Sequence, residues 1–139
     1  MRGVTDKTDL PLAGLRVCVV DDCRDLLEML DVVLTQYGAA VKTATTASEA
    51  IEVLMHWMPD VLVSDISLEG EDGYALITRV RRMKAEQGGS TPAIALTGYT
   101  LAEHKERAIS AGYQMFISKP VELSQLEAAI ELVTGRVGR

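Results

Sequence analysis

The sequence predicts an α/β domain, a parallel sheet wound by helices on both faces, and three observations support this. Strand-sized apolar runs alternate with stretches of helical periodicity five times within about 120 of the 139 residues, an alternation that calls for parallel strands joined by right-handed crossovers. Helix-stopping residues separate the units, with Gly38, Pro59 and Gly112 each following the apolar residues of a helical stretch. Four of the runs end on a polar or charged residue. Val17-Cys18-Val19-Val20 meets Asp21-Asp22, Val61-Leu62-Val63-Ser64 meets Asp65, Ala93-Ile94-Ala95-Leu96 meets Thr97, and Met115-Phe116-Ile117-Ser118 meets Lys119-Pro120.

Residues 1–14 contain Pro11 and Gly14 and lack a sustained apolar period, so they read as a leader or the end of a linker. The domain is expected over 15–135, with a tail over 136–139. After Asp22, Leu26, Leu27, Leu30, Val33, Leu34 and Tyr37 recur at helical spacing until Gly38. A strand over about Ala40 to Ala44 follows. Ser48 or Thr46 can cap the second helix, which contains Ala50, Ile51, Val53, Leu54 and Trp57 and closes at Pro59. The third strand ends at Asp65, and a loop with two glycines and three acids spans Ser67 to Gly73. Asp72 is expected to cap a third helix carrying Tyr74, Leu76, Ile77, Val80 and Met83, broken by Gln87-Gly88-Gly89-Ser90. The fourth strand starts after Pro92, a helix runs from Leu101 to Ala111, and the fifth strand reaches Lys119. Leu123 to about Val133 forms the closing helix. For five such units the default strand order is 2-1-3-4-5, the flavodoxin-like arrangement, whose switch point lies between the first and third strands. Ligands bind there, at the carboxyl ends of the strands.

Composition sets bounds on function. A hydrophobic fraction of 47% and a charged fraction of 24% are those of one ordinary globular domain. No apolar stretch approaches the roughly 20 residues needed to cross a bilayer. The opening MRGVTDKTDL has none of the features of a signal peptide, so a cytoplasmic protein with no membrane association is expected. A net charge of -6 without a basic stripe argues against nucleic acid as a partner. Cys18 and Cys23 match neither a disulfide framework nor a zinc set; Cys18 reads as core and Cys23 as a loop or helix-start residue.

Three carboxylates, a hydroxyl and an ammonium group in one crevice suggest a divalent cation and phosphate. Mg2+ takes oxygen ligands, commonly one or two carboxylates with waters and a phosphate. Asp22 and Asp65 are the candidate direct ligands, with Asp21 in contact directly or through water and the backbone carbonyl of Ser67 a further oxygen. A carboxylate can attack phosphorus and form an acyl phosphate, and Asp65 is the candidate because it ends the central strand beside the other acids. Thr97 can donate a hydrogen bond to one phosphoryl oxygen and Lys119 can offer a compact positive charge to another. Pro120 invites a cis peptide bond that aims Lys119 into the crevice. Gly98 leaves the entrance open to a phosphodonor.

On the stretches VVDDCRDLLEML, PDVLVSDISLEGEDGYALI, PAIALTGYT and AGYQMFISKPVE the chain resembles a receiver domain of two-component response regulators, from about Leu15 to Gly135. The resemblance implies a phosphoacceptor domain of a phosphorelay that takes a phosphoryl group from a sensor histidine kinase or phosphotransfer protein onto Asp65, using Mg2+. Asp21 and Asp22 match the family's acid pair, Thr97 its hydroxyl and Lys119 its lysine. Phe116 matches the aromatic residue that turns inward when the hydroxyl residue moves toward phosphate. The face formed by the fourth helix, fifth strand and fifth helix, including His104 and Lys105, would then meet a downstream protein, and a homodimer on phosphorylation is a further expectation. Such a domain assists its own phosphorylation and dephosphorylation without being a classical enzyme. LAGLRVCVVDD, EDGYALI and ALTGYT look most like receivers attached to hybrid sensor kinases, and a stand-alone regulator fits the length equally well. One departure is Leu68-Glu69 where the family often has Met-Pro, which bears on metal affinity and phosphate lifetime.

Rival readings fit the residues less well. A haloacid dehalogenase-type phosphotransferase would place a second acid two residues after the first, and that position is Cys23. A nucleotide-binding module would carry a glycine-rich loop where this chain has Asp-Asp-Cys-Arg. A pseudo-receiver scaffold that binds protein without phosphorylation is the main alternative, although such domains commonly lack one of the five residues. His56 and His104 read as surface residues, and Glu69 and Glu71 as solvated. Met29, Met55, Met58, Met83 and Met115 read as core or partly buried fillers. Arg79, Arg81, Arg82 and Lys84 read as a solvated face balancing nearby acids.

Overall fold

The computed structural model describes residues 10–67, 72–98 and 102–136. Five strands and five helices alternate: β1 (Arg16–Val20), α1 (Arg24–Gln36), β2 (Ala40–Ala44), α2 (Ala47–Trp57), β3 (Val61–Asp65), α3 (Gly73–Arg82), β4 (Ala93–Thr97), α4 (Ala102–Ala111), β5 (Met115–Ser118) and α5 (Leu123–Val133). All pairings are parallel and the strand order is 2-1-3-4-5, the flavodoxin-like arrangement.

The period of two along each strand divides the core into two layers. Val17 and Val19 of β1 face Leu27, Leu30 and Leu34 of α1 and Leu126, Ala129 and Ile130 of α5. Cys18 and Val20 point the other way, toward Ala50 and Leu54 of α2, Leu76, Ile77 and Val80 of α3, and Ala108 of α4. Because both faces of the central strands are covered, β3 and β4 are buried along their whole length. That is why they read as continuous apolar runs. Burial pushes the Cys18 thiol pKa up to about 12, so Cys18 packs as a small neutral hydrophobe.

The helix signals act largely as expected. Thr46, and not Ser48, caps α2 by accepting the Glu49 N–H at 3.1 Å, while Glu49 reaches back to the Thr45 N–H at 2.7 Å. Asp72 caps α3 by accepting from the Ala75 N–H at 2.8 Å. Gly38 and Gly112 hold φ of 103° and 131°, the left-handed region that glycine reaches without strain.

Four expectations are corrected. The leader is packed from residue 10 onward: Leu12 is fully buried, and its N–H donates to the Tyr37 carbonyl at 2.8 Å, so the folded unit begins before Leu15. The third helix stops at Arg82, where Met83 turns extended; the chain then closes a small loop through a 3-10 turn at Ala85–Gln87 and the Gly89 N–H to Lys84 carbonyl bond. Met29, Met55 and Met58 are exposed, because they lie on the outer sides of α1 and α2. Arg81 leaves the solvated basic face: its guanidinium donates to the carbonyls of Gly89, Thr91 and Gly112 at 2.7–3.0 Å. Leu68, Glu69, Glu71, Leu101, residues 1–9 and the tail beyond 136 lie outside the described residues.

Candidate functional site

Register carries the site. Val20 is level with Ser64, Asp65 with Leu96, and Thr97 with Ser118. Asp21 therefore emerges beside Asp65, with Thr97 and Lys119 each stepping one residue further along the same edge. Four segments distant in sequence converge because the sheet is parallel and their apolar runs end in register.

Asp21 and Asp65 use the same local device. Each folds an oxygen back on its own chain, Asp21 Oδ1 accepting the Cys23 N–H at 2.9 Å and Asp65 Oδ1 accepting the Ser67 N–H at 3.1 Å. These Asx turns redirect the chain off the strand and fix the carboxylate planes. Each second oxygen faces Lys119, whose Nζ lies 3.2 Å from Asp21 Oδ2 and 3.3 Å from Asp65 Oδ2. The lysine thus bridges the first and third strands from the fifth. The Lys119–Pro120 bond is cis, as expected.

Asp21, Asp22 and Asp65 each offer a carboxylate oxygen within 4.8 Å of the others, a separation that one small cation can span. Asp21 and Asp65 are buried, while Asp22 opens to solvent. Burial raises the Asp21 pKa and the Asp65 charge raises it further, against the lowering effects of the Cys23 N–H and Lys119. Burial lowers the Lys119 pKa, but Asp65 and Asp21 more than offset this and the net shift is upward. Lys119 is accordingly a fixed ammonium group. Oxygen donors carrying excess negative charge in a partly buried cleft fit a hard divalent cation.

Thr97 is buried at the end of β4, and its carbonyl accepts the Lys119 N–H at 2.7 Å. Ser67 is exposed directly after the Asp65 turn. Gly98 is exposed, and a Cβ placed there would meet nothing within 4 Å, so this flank is open. Phe116 lies further down β5, half-buried against the α4 side of the core, with Lys105 Nζ 4.9 Å from its ring centre. His56 is exposed on α2 and pairs with Glu52. His104 is half-buried, and its carbonyl accepts from the Tyr74 hydroxyl at 3.3 Å. Tyr113 lies near the site without ending an apolar run that would mark it in the sequence. It is 2% exposed, and its hydroxyl donates to the Gly73 carbonyl at 2.8 Å at the base of the loop after Asp65. Burial raises its pKa, which keeps the phenol neutral. No spacing rule marks a tyrosine just before a strand as a partner of another strand's loop.

The arrangement has counterparts in known proteins. A 14.6 kDa protein encoded in the sodA1 3' region of Leptolyngbya boryana is 38% identical over 83% of this chain and 86% of its own length. The sensor histidine kinase RcsC of Salmonella typhi is 32% identical over 96% of this chain, which spans only 14% of that kinase. The Vibrio cholerae chemotaxis protein CheY4 superposes with a TM-score of 0.80 at 27% identity, covering 87% of this chain and 99% of that structure. The family model of the response regulator receiver domain matches residues 17–131, and with this register and acid cluster the chain belongs to the receiver domains of two-component systems.

Proposed function

We propose that this chain is a phosphoacceptor: Asp65 takes a phosphoryl group from the phosphohistidine of a sensor kinase or phosphotransfer protein, and the change is read out on another surface. The observation that carries this reading is the convergence of Asp21, Asp22, Asp65 and Lys119 at the carboxyl edge of the sheet. An Asp65 carboxylate oxygen attacks phosphorus, the donor's P–N bond breaks, and the leaving imidazole takes up a proton. Asp65 Oδ2 sits on the Lys119 side, so the lysine is placed to meet charge on an incoming phosphoryl oxygen. Thr97 and the open flank at Gly98 stand on the same edge, where the phosphoryl group would enter.

Asp21, Asp22 and Asp65, with the Ser67 carbonyl, would hold Mg2+. The ion supplies charge neutralisation for the carboxylates and the phosphoryl oxygens, the main requirement of phosphoryl transfer. Readout is proposed on α4, β5 and α5; Lys105, Glu106, Ile109 and Ser110 of α4 and the half-buried Phe116 of β5 line an open hollow of roughly 420 Å³. A cytoplasmic site of action is part of the proposal; among the described residues no helix is long and apolar enough to cross a membrane. Kinase-borne relatives such as RcsC support a histidine-kinase or phosphotransfer partner.

Incubation with acetyl phosphate and Mg2+ followed by intact-mass measurement tests the reading. Wild type gains one phosphoryl mass and Asp65→Asn gains none. An unmodified wild type would instead favour the protein-binding scaffold.

A further inference from the structure

We propose that Tyr113 is a positioning residue for phosphorylation, its buried hydroxyl tying the junction between α4 and β5 to the base of the loop that follows Asp65. This role presupposes the receiver chemistry proposed above. The bond to the Gly73 carbonyl spans forty residues of sequence and joins two separate βα units.

Three groups meet around Gly73. Its N–H donates to the Ile66 carbonyl at 2.7 Å, a pinch that joins the end of β3 to the start of α3. A Cβ at Gly73 would lie 2.5 Å from the Asp65 carbonyl oxygen, 2.7 Å from Ile66 Cα and 3.1 Å from the Tyr113 hydroxyl. Glycine is therefore required for the pinch, and Tyr113 holds its outer end. Ser64, whose hydroxyl donates to the Asp65 carbonyl at 3.1 Å, is also within reach of the Tyr113 hydroxyl. Tyr113 thus fixes the first residue of α3, while Ser64 beside it holds the Asp65 carbonyl.

The anchor at the far end is firm. The Tyr113 N–H donates to the Ala108 carbonyl of α4 at 3.1 Å, and the next N–H, of Gln114, donates to the Ala93 carbonyl at 2.9 Å. The Gly73 carbonyl and the end of α4 are therefore joined through one side chain. Removing the hydroxyl leaves the buried Gly73 carbonyl without this partner. A misplacement of about 1 Å in a reacting group can cost roughly a hundredfold in rate.

The test compares Tyr113→Phe with Leu126→Ala, a core deletion in the opposite layer. Tyr113→Phe should slow phosphorylation from acetyl phosphate by about tenfold, weaken Mg2+ affinity severalfold and accelerate hydrogen exchange at the Gly73 amide. Leu126→Ala should lower the melting temperature at least as much and change none of these. Tyr113→Phe matching wild type in rate, affinity and exchange would overturn the role, as would Leu126→Ala reproducing its effects. Fast exchange at Gly73 in wild type would overturn it with no variant needed. A wild type that takes no phosphate while its Gly73 amide stays protected would fail the receiver chemistry and take the positioning role with it, a pattern distinct from the others.

Discussion

Asp21 is buried with its carboxylate 3.2 Å from Lys119, and burial is the main cause of its raised pKa. A raised pKa means that the folded chain binds the proton more tightly than the unfolded one. Its contribution to stability is therefore most favourable below the ordinary value of 3.8 and declines as pH climbs through the raised value. At neutral pH the ionised carboxylate is a cost to the fold. Asn at this position keeps an oxygen for the Cys23 N–H and leaves Lys119 its contact with Asp65. Asp21→Asn should thus be more stable than wild type by about 1 kcal/mol at pH 7 without Mg2+, and should lose most of the melting-temperature rise expected of wild type with Mg2+. Thermal unfolding with and without Mg2+ checks both halves, and a less stable variant would contradict the account. Asp21, Asp22, Asp65, Thr97 and Lys119 are legible in the sequence because each ends an apolar run, so strand period and parallel topology alone bring them together. Arg81 is not legible in this way. Among Arg79, Arg82 and Lys84 it looks like one more solvated charge, and its carbonyl partners at Gly89, Thr91 and Gly112 come from loops whose paths no local pattern encodes. Arg81→Met keeps the aliphatic stem and removes those donors; it should cost about 2–3 kcal/mol in denaturant unfolding and leave phosphorylation of the folded fraction unchanged.

Among the helices, α3 is tied directly to the strand that carries Asp65, because the N–H of its first residue, Gly73, donates to the Ile66 carbonyl. Two side chains act there in different ways. Asp72 caps the helix from the residue before it, and Tyr113 holds Gly73 from the α4–β5 junction on the same face of the sheet. The cap is readable as an acid before an apolar helical stretch. The other end of α3 is misjudged from sequence because Met83 extends the apolar period beyond Val80, while the backbone closes the loop through Lys84 and Gly89 instead. The start of the domain is misjudged because Leu12 sits between Pro11 and Gly14 in a stretch with no sustained apolar period. Only the docking of this turn against Tyr37 reveals its burial. Asp72→Ala should destabilise the domain by about 1 kcal/mol and also lower Mg2+ affinity, whereas Thr46→Ala on α2 should cost a similar amount and leave Mg2+ affinity intact. Magnesium titration of the two variants separates capping in general from capping at the site; equal affinities would contradict the role given to α3.

At the scale of the whole molecule, the sheet holds the carboxylates from β1 and β3 and the ammonium from β5 in one place, while the helices cover both faces. The chain spans most of a small relative and a small part of a large kinase, so the same unit serves in either setting. The claim on which the rest depends is that Asp65 is the atom-level acceptor. Reductive trapping of the acyl phosphate with borohydride after exposure to acetyl phosphate and Mg2+, followed by peptide mapping, tests this most directly. The account predicts reduction at Asp65 alone, abolished when Mg2+ is chelated; reduction at Asp21 or Asp22, or none at any acid, would contradict it.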